Sequence, residues 1–204
     1  VKNTWKHFYS DYFENFNSRD LVVHAKYHNK LKDETLVQII EKNSDFLSTI
    51  MIHTKDRANV FATIIGILDS ENINFLDAKL FGMRNGYCLD FITISDQSGQ
   101  MIKKNSTIAN SLTTRLIEAL DQEILMPKIV QRRQPRHLKH FDTDTIIEYK
   151  HDMTHRWTEV DIKTSDRPGL LASICKVFLN HGALIKKARI ATYGERAEDK
   201  FCIT

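Results

Sequence analysis

Two short stretches place an aspartate and an arginine at the junction between a strand and a helix. TSDRPGLLASICKVF occupies residues 164–178, and TKDRANVFATIIGIL occupies residues 54–68. An alternating pattern typical of a strand precedes each stretch, and an amphipathic helix pattern follows it. Free amides at a helix start suit a carboxylate, and a nearby aspartate suits an amine. These residues therefore point to recognition of a zwitterion such as a small amino acid.

The same residue types also have a purely structural interpretation. Pro168 lacks an N–H and presets φ for a first helical position, and Asp166 is placed to cap the exposed amides. Gly169 permits close approach of a backbone or a ligand. A good helix start without any ligand would thus explain the motif equally. In the earlier stretch Ala58-Asn59 replaces Pro-Gly, which leaves open a first site that is degenerate or structural.

The two stretches belong to a longer internal duplication with a constant offset of 110 positions. Matching residues extend on both sides of the Asp-Arg pair. Ile52, Thr54, Ala62, Ile64 and Ala78 recur as Ile162, Thr164, Ala172, Ile174 and Ala188. Repetition over this length indicates two copies of one folding unit.

The first copy reads as a β-α-β-β-α-β unit over residues 46–150. Its second and third strands flank the hairpin-turn signal Asn85-Gly86, its second helix starts at Asn105 or Ser106, and FDTDTIIEYK is its last strand. The second copy, over 151–204, shows strand, helix, strand and strand and then stops, so we expect it to be incomplete. Residues 1–45 are predicted to be helical, with Asn17 or Ser18 as an N-cap and a second helix over DETLVQIIEKN.

An aromatic cluster in this N-terminal segment is too apolar for a flexible tail, and we expect it to pack against another domain. Its members are Trp5, Phe8, Tyr9, Tyr12, Phe13 and Phe16. Within the 204 residues, 42% are hydrophobic, 27% are charged and the net charge is +3. This balance is typical of a soluble globular protein. No apolar run reaches ~18 residues, so no membrane span is expected.

The N-terminus lacks a secretion signal, and Cys88, Cys175 and Cys202 show no C-x-x-C spacing. They are interpreted as reduced thiols of a cytoplasmic protein. The chain begins at Val1 and is interpreted as a fragment of a longer protein.

Histidines four positions apart are weak candidates for metal binding. His24 with His28, and His151 with His155, lack a third ligand and a glutamate base. We expect ordinary packing or surface histidines and no metal site.

A basic connection over 128–140 has three interpretations. It carries Lys128, Arg132, Arg133, Arg136 and Lys139. It lacks interleaved aromatic residues for base stacking, so a solvated linker is favoured over a nucleic-acid or nucleotide-phosphate dock. An interdomain contact is the third interpretation.

The strand–DRPGLL–helix unit followed by ARIATYGERAEDKF resembles the ACT domain, a ferredoxin-like βαββαβ module that commonly senses amino acids. LDAKLFGMRNGYCLDFITISDQSG, RRQPRHLKHF and the whole of residues 164–201 resemble the C-terminal tandem ACT region of the bifunctional PII uridylyltransferase/uridylyl-removing enzymes. The resemblance covers nearly the whole chain. It implies an α+β fold with one complete and one truncated ACT domain after a helical segment.

That family adds UMP to the PII nitrogen-signal protein and removes it in response to glutamine. Its catalytic domains, with their Mg²⁺, precede the ACT region, and their motifs do not occur here. The resemblance therefore implies a regulatory fragment with no catalytic residues and no cofactor of its own, whose ACT copies associate in cis or in a dimer. Two alternatives stay open: a stand-alone tandem-ACT amino-acid sensor, and a nucleic-acid-binding repressor using the basic connection.

Glutamine is the expected effector. The residues expected to contact it are Asp166, Arg167, Pro168, Gly169 and Leu170, with Asp56, Arg57, Ala58 and Asn59 as a weaker counterpart. Backbone amides would hold the carboxylate of the ligand, and Asp166 would hold its amine.

Overall fold

The computed structural model describes residues 5–28, 34–41, 47–122, 144–154, 156–193 and 196–204. Within these ranges the fold is α+β, as predicted. The helices are α1 (Ser10–Glu14), α2 (Ser18–His28), α3 (Val60–Ser70), α4 (Thr107–Asp121) and α5 (Leu170–Asn180). The strands are β1 (Leu36–Glu41), β2 (Ser48–Lys55), β3 (Asn74–Gly82), β4 (Tyr87–Ser95), β5 (Ile146–Asp152), β6 (Trp157–Ser165), β7 (Ile185–Tyr193) and β8 (Arg196–Ile203).

All of these strands join one eight-stranded sheet, in the order β1-β2-β4-β3-β7-β8-β6-β5. Each pairing in the sheet is antiparallel. The copies meet where β3 pairs with β7, and there Ala78 lies opposite its own counterpart, Ala188. The order is a palindrome of equivalent strands, so an approximate twofold axis passes between β3 and β7. The arrangement is compatible with two ferredoxin-like ACT units side by side.

The predicted helix over DETLVQIIEKN is wrong, because its described part forms strand β1. Val37 and Ile39 point into the main core beneath the helices, whereas Leu36 and Ile40 pack against the N-terminal cluster on the opposite face. A strand covered on both faces loses its polar alternation. In β1 the apolar residues Leu36, Ile39 and Ile40 fall at i, i+3 and i+4, which is the spacing of an amphipathic helix.

The strand predicted to end the first copy is also placed differently. β5 pairs with β6 of the second copy, with Ile147 opposite Ile162 just as Val37 is opposite Ile52. Each copy therefore contains a strand-strand-helix-strand-strand unit whose edge strand precedes the others in sequence, and in the first copy α4 follows this unit. The bounds 46–150 and 151–204 remain predictions, and this pairing favours a second unit that begins before β5.

A pair of threonine contacts supports that placement of the edge strands. Thr35 Oγ1 lies 3.0 Å from Thr54 Oγ1, and Thr145 Oγ1 lies 2.8 Å from Thr164 Oγ1. The partners in the two contacts are related by the same offset of 110 residues. The duplication thus extends into β1 and β5, beyond the part that the sequence patterns revealed.

Helices α3, α4 and α5 cover one face of the sheet. α3 packs against both α4 and α5, and α4 also contacts β1. Ile50, Ile52, Ile64 and Ile92 are fully inaccessible at the centre of this layer. The predicted start of α4 is confirmed, because Ser106 Oγ accepts the amide of Ala109 at 3.1 Å.

The N-terminal helices cover the opposite face of the first copy. The Tyr12 ring is fully buried and lies 5.2 Å from the Phe81 ring, edge to face. Asn17 Oδ1 accepts the amides of Arg19 and Asp20, which confirms the predicted cap of α2. The aromatic segment therefore packs on the neighbouring sheet, as expected. No helix in the described ranges has the length and apolar character needed to cross a membrane.

Candidate functional site

Two cavities lie at twofold-related positions where the copies meet. Residues 56–58 line the first cavity, of about 290 Å³, together with the end of α5 and residues 183–186. Residues 166–172 line the second cavity, of about 860 Å³, together with the end of α3 and residues 73–76. Each Asp-Arg stretch therefore faces a wall supplied by the other copy, which the sequence alone did not predict.

The start of α5 presents unpaired amides to the second cavity. The N-cap residue is Gly169, in the left-handed conformation with φ 75°, and no side chain caps the helix. The Leu170 amide donates to Arg167 O at 3.0 Å. The following amides of the first turn have no acceptor within the helix. They form a positive helix end suited to an anionic group.

Asp166 and Pro168 have other local roles than those predicted. Asp166 does not cap α5; its carboxylate accepts the amide of Arg167, and burial raises its pKa. Pro168 precedes the helix by two residues and does not occupy its first position. Both residues nevertheless line the second cavity.

A second acid, Asp199, lines the same cavity from β8. Asp199 is only 2% exposed, and its Oδ1 accepts no hydrogen bond from any described residue. Burial, with an added contribution from the charge of Asp166, raises its pKa to about 7. Two carboxyl groups that repel each other in a partly buried cavity wall favour the binding of a positively charged group beside them.

The two arginines of the repeated motif make different contacts. Arg57 donates through Nη2 to the Leu120 carbonyl in the last turn of α4. The described part of the second copy contains no equivalent of α4, and there Arg167 is exposed at the rim of the cavity. Arg57 therefore acts as a tether for a helix end, whereas Arg167 is accessible to an anionic group.

The acids of the first cavity have partners within their own copy. Asp90, which is 3% exposed, accepts the Phe81 amide at 3.3 Å and the Cys88 thiol. Burial raises its pKa to about 7, and the charge of Asp56 adds to this effect. Asp56 lies against Gly82, where an added Cβ would stand 3.0 Å from its Oδ2. The first cavity is thus smaller than the second, and its two acids make contacts within their own copy.

No protein-family model matches the chain. Over its whole length the chain is 32% identical to a bifunctional uridylyltransferase/uridylyl-removing enzyme of Acinetobacter baumannii and 32% identical to one of Photobacterium profundum. Over 76% of its length it is 39% identical to the enzyme so named in Psychrobacter sp.. The chain is homologous to the C-terminal part of the bifunctional uridylyltransferase/uridylyl-removing enzymes. It spans 23% of the length of the first two relatives.

This similarity confirms the resemblance stated from the sequence, while the binding role of individual residues stays a prediction. All five residues of 166–170 line the second cavity, and Asp56, Arg57 and Ala58 line the first. Asn59 is the N-cap of α3 and is not a lining residue.

Sequence reasoning assigned neither Asp90 nor Asp199 to a ligand site, although both line a cavity. A signal for Asp199 exists in the strand RAEDKFCI. There Ala197 and Phe201 face the core, so the acid between them occupies an inward position. An inward acid in a strand is unusual unless it has a partner.

The remaining predicted candidates are histidines, a basic connection, a turn and the cysteines. His24 is buried and its Nδ1 lies 2.8 Å from the Tyr12 hydroxyl, so it is a packing histidine. Among the described residues no group of three or more His, Cys, Asp and Glu is placed to hold a metal ion. The His28 side chain, His155, the basic connection over 128–140 and the turn at 194–195 lie outside the described residues. The three cysteines are free thiols.

Proposed function

We propose that this chain is the amino-acid-sensing regulatory region of a bifunctional uridylyltransferase/uridylyl-removing enzyme, with glutamine as its effector. The proposal depends chiefly on the second cavity, where an uncapped helix start faces two carboxyl groups. The name shared by its relatives supports uridylyl transfer and uridylyl removal as the regulated activities. The PII signal protein would be the target, in the cytoplasm. Catalysis and its Mg²⁺ would belong to domains outside this chain.

A zwitterion complements the charges of the second cavity. Its carboxylate would lie at the first-turn amides of α5, with the Arg167 guanidinium nearby, while its ammonium would lie near Asp166. Free amides at a helix start and a guanidinium are both suited to carboxylates. The cavity volume of about 860 Å³ leaves room for the side chain of an amino acid.

Regulation would follow from linkage between the ligand and the arrangement of the two copies. The wall of the second cavity includes residues 74–76 of β3, and the far end of the same strand carries Phe81, which packs on Tyr12. A ligand that binds one arrangement of the copies more tightly shifts the population toward it. Strand β3 would then carry that shift to the N-terminal segment and to the domains that precede it.

Calorimetric titration of the chain with glutamine, glutamate and other amino acids tests the proposal. Glutamine is expected to give a saturable heat, and Asp166→Ala is expected to weaken its binding at least tenfold. Asp121→Ala, which removes an exposed acid at the end of α4, is the matched control and should bind like the wild type. A saturable heat with a different amino acid, and none with glutamine, would identify that amino acid as the effector. No heat with any amino acid would remove the sensing function.

A further inference from the structure

The two cavities contain acids at equivalent strand positions that differ in their hydrogen bonds. Asp90 on β4 lies opposite Ile52 and Leu80, and Asp199 on β8 lies opposite Ile162 and Ile190. Both are almost completely buried. Asp90 is hydrogen-bonded within its own copy, whereas Asp199 Oδ1 accepts nothing from the described part of the chain.

A buried carboxyl oxygen without a donor is costly, and such atoms are rare in folded proteins. The cost falls when a ligand supplies donors and positive charge at the same place. In the second cavity the negative charge of Asp166 repels a charged Asp199. A ligand that brings hydrogen-bond donors and positive charge to this place is therefore favoured more strongly. In the first cavity the Phe81 amide and the Cys88 thiol already meet the same need for Asp90.

We propose that Asp199 is the specificity-determining residue of the second cavity, where it accepts the ammonium group of the effector, and that its counterpart Asp90 is structural. The inference rests on the proposed sensing of an amino acid and names the group that recognises its amine. The carboxylate and ammonium of an α-amino acid are separated by one carbon atom. Asp199 and the start of α5 line one cavity, as recognition of both groups by one small ligand requires.

Asp199 would therefore discriminate against acids that lack the amine. A site that is built to pair a polar group of its ligand rejects the analogue lacking that group, because its own buried group is then left unpaired. Asp166, which is only half-buried and already accepts the Arg167 amide, would contribute less to this discrimination.

The test is a cycle of calorimetric titrations with two ligands and three proteins. The ligands are glutamine and its deaminated analogue, 5-amino-5-oxopentanoate. The proteins are the wild-type chain, Asp199→Asn and the matched control Asp90→Asn. Loss of a hydrogen bond to a charged group predicts that Asp199→Asn weakens glutamine binding roughly ten- to hundredfold. Binding of the analogue should change less than about threefold, and Asp90→Asn should leave glutamine binding within about threefold.

Several outcomes would overturn the inference while amino-acid sensing stands. An equal loss for both ligands in Asp199→Asn would show a structural role, and a loss in Asp90→Asn alone would move the site to the first cavity. Binding of the analogue as tightly as glutamine by the wild type would exclude any role for the amine, which keeps the test valid if Asp199→Asn misfolds. Circular dichroism checks the fold of each variant. If the wild type binds no amino acid, both this inference and the sensing function fail.

Discussion

At the scale of single residues, Asp90 and Asp199 are the buried acids in the walls of the two cavities. Burial raises the pKa of each to about 7, whereas an aspartate in an unfolded chain titrates near 3.9. Between about pH 4 and pH 7 the folded protein therefore binds more protons than the unfolded chain. By linkage, the contribution of these acids to stability is complete below about pH 4 and is lost as the pH rises through about 7.

Asp90→Asn should reduce this pH dependence. The amide keeps the shape of the side chain and carries no charge, so the variant should gain stability relative to the wild type on going from pH 5 to pH 8. A shift of one pKa unit corresponds to about 1.4 kcal/mol, so we expect a relative gain on the order of 1–3 kcal/mol. Urea unfolding of both proteins at the two pH values measures it.

The control for that measurement is Asp121→Asn, at an exposed position on the last residue of α4. It should retain the wild-type pH dependence. An unchanged slope in Asp90→Asn would mean that the carboxyl group is charged in the folded state across this range. Asp56, Cys88 and Lys186 are the other titratable groups around Asp90, and their substitution would then identify the compensating charge.

At the scale of elements, the Arg57 side chain connects the loop before α3 to the end of α4. Its hydrogen bond to the Leu120 carbonyl satisfies a group that the helix itself leaves unpaired. A cation at a helix C-terminus also interacts favourably with the helix dipole. Arg57, which sequence reasoning assigned to a ligand, thus makes a structural contact in the first copy, and its role in ligand binding stays a prediction.

Arg57→Ala should destabilise the chain by about 1–2 kcal/mol, because the last turn of α4 loses a charged donor. Amide hydrogen exchange should increase in that turn, and urea unfolding gives the magnitude. The exposed Arg167 is the twofold-related control, and Arg167→Ala should change stability by less than about 0.5 kcal/mol. Equal losses from both substitutions would contradict the tether.

The sequence predicted most elements, and its failures have physical causes. Local residue patterns were enough to predict strands β2, β3, β4, β6, β7 and β8 and helices α3, α4 and α5, although β2, β4 and α3 are buried on more than one face. β1 fails because Leu36 and Ile40 are covered by a segment that comes from elsewhere in the chain. The cavity wall contributed by the opposite copy also depends on the pairing of β3 with β7, which no local pattern encodes.

At the scale of the whole molecule, the continuous sheet and the α3–α5 contact join the two copies. The copies share a backbone pairing, and Ala78 and Ala188 are 1% and 2% exposed at that junction. Separating the copies would expose this buried surface and leave the strand edges unpaired. Partial unfolding of one copy is therefore unfavourable as long as the junction is intact.

The two tryptophans of the chain report on the copies separately. Trp5 contacts the N-terminal cluster of the first copy, and Trp157 lies in the second copy. In Trp157→Phe and in Trp5→Phe, the urea midpoint followed by the remaining fluorophore should coincide with the midpoint followed by circular dichroism of the same protein. Ala188→Asp buries a charge at the junction and should separate the midpoints. Different fluorescence and dichroism midpoints within either single-tryptophan protein would show that the copies unfold independently.

The approximate twofold axis has a consequence for how such a protein can evolve. Two identical chains related by a symmetry axis must carry the same amino acid at both related positions, so a substitution that improves one site also alters the other. Joining the halves in one polypeptide removes that restriction. Gly82 and Thr192 occupy equivalent strand positions with different side chains, and Arg57 and Arg167 kept their identity while their surroundings diverged. Covalent fusion thus allows one half to become scaffold while the other keeps an open pocket.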